Sequence, residues 1–273
     1  MIDDPAFTIT DELATVPLGT SPADFLISHY SELGKLPRGV ERKSLGFVDE
    51  EPLEAPETWA VFAIPQAVRQ NVTTQNLREL YPWQRHQCFP QQVQVVSVKH
   101  HKDPDVFHRA TIKQFENDLL EKEGIFFRGL SLYALELSMV FFVPVIQSAN
   151  KTNELGPGIY TTTNFNYAKA YAGAMGAIMV FQKPEFRDLE VWRPELPEWR
   201  HVIAHHLSLP HPKETPGRYG TADVIIGPTS ERRTNQKGGS ITQSAEVDQQ
   251  AYVSHRACER LSGSLQAIIF IKN

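Results

Sequence analysis

Three short blocks, far apart in the chain, hold residue types that can do chemistry. In residues 126–133, FFRGLSLY, Arg128 and Gly129 interrupt an apolar run. A guanidinium flanked by Ile125, Phe126, Phe127 and Leu130 is costly unless it meets an anion, because a buried charge needs a partner. Gly129 would leave the backbone N–H and C=O open to a flat ligand. A structural salt bridge or an exposed strand face explains the same pair without a ligand. Residues 154–172, ELGPGIYTTTNFNYAKAYA, set a tight turn at Gly156, Pro157 and Gly158 ahead of a strand bearing Tyr160, Thr161 and Thr162. Ala168, Tyr171 and Ala172 would share one face of the helix that follows. The turn lacks both the GxGxxG spacing and the phosphate loop's terminal Lys, so alone it specifies no nucleotide. In residues 247–261, VDQQAYVSHRACERL, a strand would put Gln249, Ala251 and Val253 on one face and Gln250 and Tyr252 on the other. Only one of the paired glutamines can then enter a given site.

Other candidates are weaker. Glu231, Glu246 and Asp248 could add a carboxylate, Glu246 foremost, although acids in polar loops are ordinarily solvated. His201 and His205 are four apart, but HVIAHH lacks the Glu of the helical zinc motif and reads as a strand. His100, His101 and His108 flank Asp103 and Asp105, a metal-ligand set of low specificity. Surface or packing roles account for both histidine groups.

The elements that must position these residues are short. Residues 1–55 carry Pro5, Pro17, Pro22, Pro37 and Pro52 and no sustained apolar period, which reads as an irregular arm with one helix over 22–33. Residues 59–64 and 93–98 are dense in β-branched and aromatic residues and read as strands, with a helical turn over 76–81 between them. Phe107, Ile112, Phe115, Leu119 and Leu120 recur at helical spacing, which predicts a helix over 105–123 with Gly124 as its carboxy-terminal cap. Beyond Gly124 strands are expected over 125–132, 140–146, 159–163, 177–181, 202–207, 223–226, 249–253 and 267–271, and helices over 165–173 and 255–261. Residues 210–220 and 229–244 read as polar connections. Residues 150–157, with Leu155 as their one apolar anchor, are expected to move or order when a ligand binds.

Composition excludes several classes. Apolar residues make up 41% and charged residues 22% of the 273, ordinary globular values that argue against a mostly disordered chain. A net charge of −5 supplies no overall basic field for nucleic acid or an anionic membrane. The most apolar run, residues 139–146, contains Pro144 and falls far short of the roughly 20 residues that span a bilayer. The first residues lack the basic and apolar regions of a secretory signal. Two cysteines, Cys88 and Cys258, cannot build a four-thiolate zinc site and are expected as free thiols. A soluble, cytoplasmic chain is the expectation.

Taken together the blocks resemble the ADP-ribosyltransferase superfamily, whose members carry Arg or His on one central strand, Tyr or a Ser-Thr-Ser block on a second, and Glu or Gln on a third. The resemblance is nearest to an uncharacterised family of small microbial domains with the pattern P-x-I-x-x-S, D-F-G-x-G-F-Y-T-T, a helix with A-x-x-Y/W-A, a strand like D-V-I-x-G-P, and Q-x-x-F-x-T-x-x-A-x-x-x-L. Here the stretches are residues 144–148, 154–162, 168–172, 222–228 and 249–261, in the same order over about 150 residues. Gln249, not Gln250, fits, because it sets Tyr252, Ser254, Ala257 and Leu261 at the aromatic, hydroxyl, Ala and Leu positions. Arg128 stands where that family has His, as in arginine-type toxins; Tyr160 is similar to the poly-ADP-ribosylating branch; and Glu154-Leu155 replaces Asp-Phe.

The resemblance implies an α+β fold, a split antiparallel β-sandwich with flanking helices over residues 116–273, preceded by an irregular mixed region over 1–115. It implies NAD as substrate, with cleavage of the nicotinamide–ribose bond by a glycohydrolase or an ADP-ribosyltransferase, through an oxocarbenium-like centre. No metal is implied, and any acceptor would be a protein or a small molecule. Gly129 would hold the carboxamide through its backbone, Tyr160 would stack on the nicotinamide, and Arg128 would neutralise a phosphate. Thr161 and Thr162 would brace the site, and Gly158 and Tyr171 would line it. Gln249 would hydrogen-bond the ribose hydroxyls, but as a neutral group it lacks a carboxylate's field, which leaves room for water as the acceptor. A non-catalytic NAD or ADP-ribose binding module, or a scaffold that keeps only the fold, are the alternatives.

Overall fold

Strands covered on both faces read as continuous apolar runs, and three such runs make the middle of this sheet. A computed structural model describes residues 63–82, 88–115, 118–144, 153–207, 216–231 and 241–273, all within the unit Phe62–Asn273. In chain order the elements are β1 (Thr73–Asn76), α1 (Leu77–Leu80), β2 (Gln92–Lys99), α2 (Pro104–Ile112), β3 (Ile125–Ser131), α3 (Leu132–Val140), β4 (Ile159–Thr162), α4 (Phe165–Ala172), β5 (Gly176–Gln182), β6 (Val191–Trp192), α5 (Leu196–His206), β7 (Val224–Glu231), β8 (Thr242–Tyr252), α6 (His255–Gly263) and β9 (Leu265–Lys272). Nine strands form one sheet in the order β1-β2-β9-β5-β3-β4-β8-β7-β6. Among the described residues only β2–β9 and β6–β7 pair in parallel.

The strand period of two explains the layering. On one face Val93, Val95, Phe126, Leu130, Ala177, Met179, Phe181, Ile268 and Phe270 join a core with α3 and α6. On the other, Val96, Val98, Ile125, Phe127, Ile178, Val180, Ala267 and Ile269 pack with Phe107 of α2 and Phe165 and Ala168 of α4. A third cluster sits over β7 and β8, where α5 lays Trp199, Val202 and Ile203 on Ile225 and Ala251. The unit of the described residues is thus α+β, with helices on both faces of an open sheet. Hydrogen bonding carries through where two separate sheets were expected, but the halves β1-β2-β9-β5-β3 and β4-β8-β7-β6 are joined by one residue pair, Phe127↔Thr162.

Most of the expected strands and both expected carboxy-terminal helices are present, and several expectations are corrected. The boundary near residue 115 falls inside one sheet, because β2 pairs with the last strand from Gln94↔Ala267 to Lys99↔Lys272. The expected helix over 105–123 ends at Ile112; Asp118 turns left-handed (φ 48°) and Leu119–Glu121 forms a separate 3-10 turn. Phe115, Leu119 and Leu120 still reach the core that Phe107 enters, so the apolar period was burial without one continuous helix. Residues 132–140 are helical, with the Ser131 hydroxyl accepting from Ala134 N, and residues 141–144 form no strand. The run 201–206 lies in α5, whose start carries Pro197 and a Glu198 carboxylate that accepts from Glu195 N. The helix over 22–33 and residues 59–62 and 145–152 lie outside the described residues.

Candidate functional site

β4 is four residues long and pairs along its whole length with β8: Ile159↔Tyr252, Tyr160↔Ala251, Thr161↔Gln250 and Thr162↔Gln249. Its other edge meets β3 only at Phe127↔Thr162. Continuing that register would set Arg128 against Thr161 and Gly129 against Tyr160, yet the two strands part there. Pairing places Tyr160, Thr162, Gln249 and Ala251 on one face. Ile159, Thr161, Gln250 and Tyr252 take the other, where Ile159 and Tyr252 join the large core and the Tyr252 hydroxyl donates to Gln250 Oε1. Of the paired glutamines, Gln249 therefore shares a face with Tyr160.

Gln249 is 6% exposed, and its Nε2 donates to Glu154 Oε2 at 3.2 Å. The same carboxylate accepts from Ser230 N at 2.9 Å and from Ser230 Oγ at 2.5 Å. Next to Glu154, the N–H of Leu155 donates to the Tyr160 hydroxyl at 3.0 Å, and that hydroxyl donates to the Gly156 carbonyl at 2.5 Å. Burial raises the Tyr160 pKa well above its usual value; the Leu155 N–H opposes the rise, and Tyr219, Glu154 and Tyr171 add to it. The phenol stays protonated and can donate. Leu155 is fully buried, so residues 154–156 are held by an apolar anchor and by hydrogen bonds, while residues 150–152 of the stretch expected to move or order with ligand lie outside the described residues. Gly156 has φ +94°, and a Cβ there would overlap the Tyr219 hydroxyl, which shares a 2.7 Å hydrogen bond with His206 Nε2. The turn is closed on one side by its tyrosine and on the other by this pair.

Arg128 alternates with Phe126 and Leu130, which puts its side chain on the face opposite Tyr160 and Gln249. It is 7% exposed, and Nη1 donates to the Tyr160 carbonyl at 3.3 Å. Burial lowers its pKa to about 10, with the Cys258 thiol opposing, so the guanidinium remains charged at neutral pH. In this arrangement Arg128 bridges the parting strands from the core side of the sheet. Gly129 also has a packing reason: a Cβ would overlap the Ala168 carbonyl oxygen, so this glycine admits the close approach of α4 on one face of β3.

The remaining expected residues divide by face. Thr162 Oγ1 donates to Asp248 O at 2.9 Å and accepts from Asn164 N at 3.1 Å, tying β4 to β8 and to the start of α4. Thr161 is buried on the core side. A Cβ on Gly158 would lie 3.0 Å from Tyr252 O, so this glycine admits the close approach of β8. Ala168 and Ala172 are buried but Tyr171 is 52% exposed, off the face it was expected to share with them. Its hydroxyl lies 3.2 Å from that of Tyr167 with the rings edge-on, and burial, then the Tyr171 hydrogen bond, raises the Tyr167 pKa. Glu154, Ser230 and Tyr167 were missed as site residues. Only Glu154 left a trace, as the acid standing at the family pattern's Asp.

His101, His108 and the two aspartates beside them make local contacts. Asp103 caps α2 through Asp105 N and Val106 N, His101 Nδ1 accepts from Asp103 N, His108 stacks on Phe165, and Asp105 accepts from Asn166. Among the described residues no group of three or more His, Cys, Asp or Glu could hold a metal ion, and no helix is long and apolar enough to cross a membrane. Asp248 is exposed, and the side chains of Glu231 and Glu246 lie outside the described residues. No protein-family model matches the chain, and a search of curated proteins finds no match.

Proposed function

We propose that this chain consumes NAD by breaking its nicotinamide–ribose bond, as a glycohydrolase or an ADP-ribosyltransferase, on a fold of the ADP-ribosyltransferase type. The observation that carries this reading is the order of β3, β4 and β8 as neighbours, with the sheet parting at Gly129 and Tyr160 and with Gln249 on the Tyr160 face. The five sequence stretches that resemble the superfamily support it. A parted pair of strands offers backbone groups to a flat amide such as the carboxamide, and the rings of Tyr160, Tyr167 and Tyr171 offer stacking surfaces beside it. Gln249 would accept from the ribose hydroxyls as positive charge builds at C1. Arg128 would hold the parted strands in place.

Incubation with NAD followed by chromatography for free nicotinamide tests this. Release without labelling of protein marks a hydrolase, and labelling marks a transferase. If neither occurs, the enzyme reading is wrong. The second reading is a non-catalytic NAD or ADP-ribose binding module. The near-complete burial of Gln249 under the Glu154 carboxylate favours it, and calorimetric binding of NAD without turnover would establish it.

A further inference from the structure

Glu154, Ser230 and Gln249 come from three elements: the turn before β4, β7 and β8. The β7–β8 register runs through Gly227↔Gln249 and Pro228↔Asp248, shifts, and resumes at Ser230↔Gln243. Ser230, just past that shift, gives both its N–H and its hydroxyl to Glu154, so the two oxygens of the carboxylate are held by one residue. A carboxylate of fixed position then meets the Gln249 amide.

That contact decides which way the amide points. A carboxylate offers only acceptors, so Gln249 must turn its NH2 toward Glu154 and its carbonyl oxygen away. An amide without such a neighbour can rotate by half a turn and present its hydrogens to the same space. For a sugar hydroxyl, and still more for a ring gaining positive charge, the oxygen is the useful end. The carboxylate also places its negative charge one amide group behind that oxygen.

We propose that Glu154 is a positioning residue for Gln249: it locks the amide with its oxygen turned away from the carboxylate and supplies, at one remove, the negative charge that a neutral glutamine lacks. This rests on the NAD-cleaving reading for its catalytic consequence, while the pairing itself belongs to the fold. It also reverses the simplest expectation for Gln249→Glu. A second carboxylate 3.2 Å from the first would force the two to share a proton, with one of them titrating far above the usual range. Gln249→Glu alone should therefore lose activity at neutral pH instead of gaining it, and exchanging the two residues should recover it.

The test is a cycle of Glu154→Gln, Gln249→Glu and the double exchange, with Ser230→Ala as a milder perturbation, read by thermal unfolding and by nicotinamide release across pH. We expect each single exchange to lower the melting temperature by a few degrees and the double exchange to restore most of the loss. In turnover, Glu154→Gln should lower kcat on the order of 10²-fold with little change in KM, the cost of a misplaced reacting group. Ser230→Ala should give a smaller fall of the same kind. The pH profile of Gln249→Glu should acquire a limb near neutrality that the double exchange removes. Additive melting losses overturn the pairing, whatever the activity. Coupled melting with additive turnover, or an unshifted pH profile, overturns the positioning role. A wild-type protein that releases no nicotinamide refutes the NAD reading instead, and the melting cycle then judges the pairing alone.

Discussion

The Arg128 guanidinium donates to the main-chain carbonyl of Tyr160 at 3.3 Å, from β3 to β4, at the point where these strands stop pairing. A side chain thus bridges a gap that backbone hydrogen bonds leave open, and it does so from the core side of the sheet. Replacing it should separate two effects. Arg128→Ala leaves a cavity and an unpartnered carbonyl and should cost about 2–4 kcal/mol. Arg128→Met fills the space without the charge and should melt within a few degrees of wild type, because removing a buried charge offsets the lost hydrogen bond. If bracing is the role, Arg128→Met should still lower kcat by loosening Tyr160. Wild-type kcat with a raised KM for NAD would return Arg128 to ligand binding.

Gly129 should tolerate no side chain. The Cβ of Gly129→Ala would overlap the Ala168 carbonyl oxygen and lie 2.6 Å from the Ala168 carbonyl carbon, both backbone atoms of α4. The helix must shift, at a cost of about 1–3 kcal/mol. Gly227→Ala is the control, since its Cβ would lie 3.2 Å from the Trp199 ring, a contact that a small rotation relieves. Urea denaturation should show the larger loss at Gly129, and equal losses would argue against this account of α4.

Tyr160 and Tyr171 should fail differently. Tyr160→Phe removes the acceptor of Leu155 N and the donor to Gly156 O and should destabilise the protein by about 1–2 kcal/mol. Tyr171, half exposed, should be replaceable by Ala with no change in melting temperature. If its ring stacks on nicotinamide, the same variant should weaken NAD binding several-fold, since a ring contact contributes about 1 kcal/mol. Unchanged NAD affinity in Tyr171→Ala would remove this residue from the binding surface.

Acid stability should depend on Asp223. This carboxylate is 4% exposed and accepts from Ser254 Oγ at 2.5 Å, from Glu190 N at 2.8 Å and from both arms of Arg256. Burial alone would raise its pKa, but the hydrogen bonds from Arg256, Ser254 and the Glu190 backbone prevail and hold it at about 2. The ordinary value is about 3.9, so the folded state binds this proton less tightly than the unfolded one. The contribution, on the order of 2 kcal/mol, is fully present above about pH 4 and is lost as the pH falls toward 2. Asp223→Asn should therefore be less stable than wild type at pH 6, and the difference should shrink between pH 4 and 2. A gap that stays constant over that range would show that the charge is not what stabilises the contact.

Local pattern was enough to read much of the second half of the chain. The apolar runs of β3, β5 and β9, the polar ends of β4 and β8, and the helices after Asn164 and Ser254 follow from periodicity and capping, which act over a few residues. The same period of two placed Gln249 and Gln250 on opposite faces and so allowed only one of them beside Tyr160. Two short-range readings failed for want of context. HVIAHH by itself reads as a strand, although Pro197 and Glu198 mark a helix start upstream, and the helical spacing of Phe115, Leu119 and Leu120 reflects one core reached by separate turns. What no local pattern holds is which elements meet. That β2 would lie beside β9, that α4 would pack closely on Gly129, and that Glu154 would bond to Gln249, 95 residues away, depend on the strand order of the open sheet and on where β3 parts from β4. A strand's alternation says which side chains share a face; only packing says what that face is pressed against, and the direction of Arg128 and the neighbour of Gln249 were settled there.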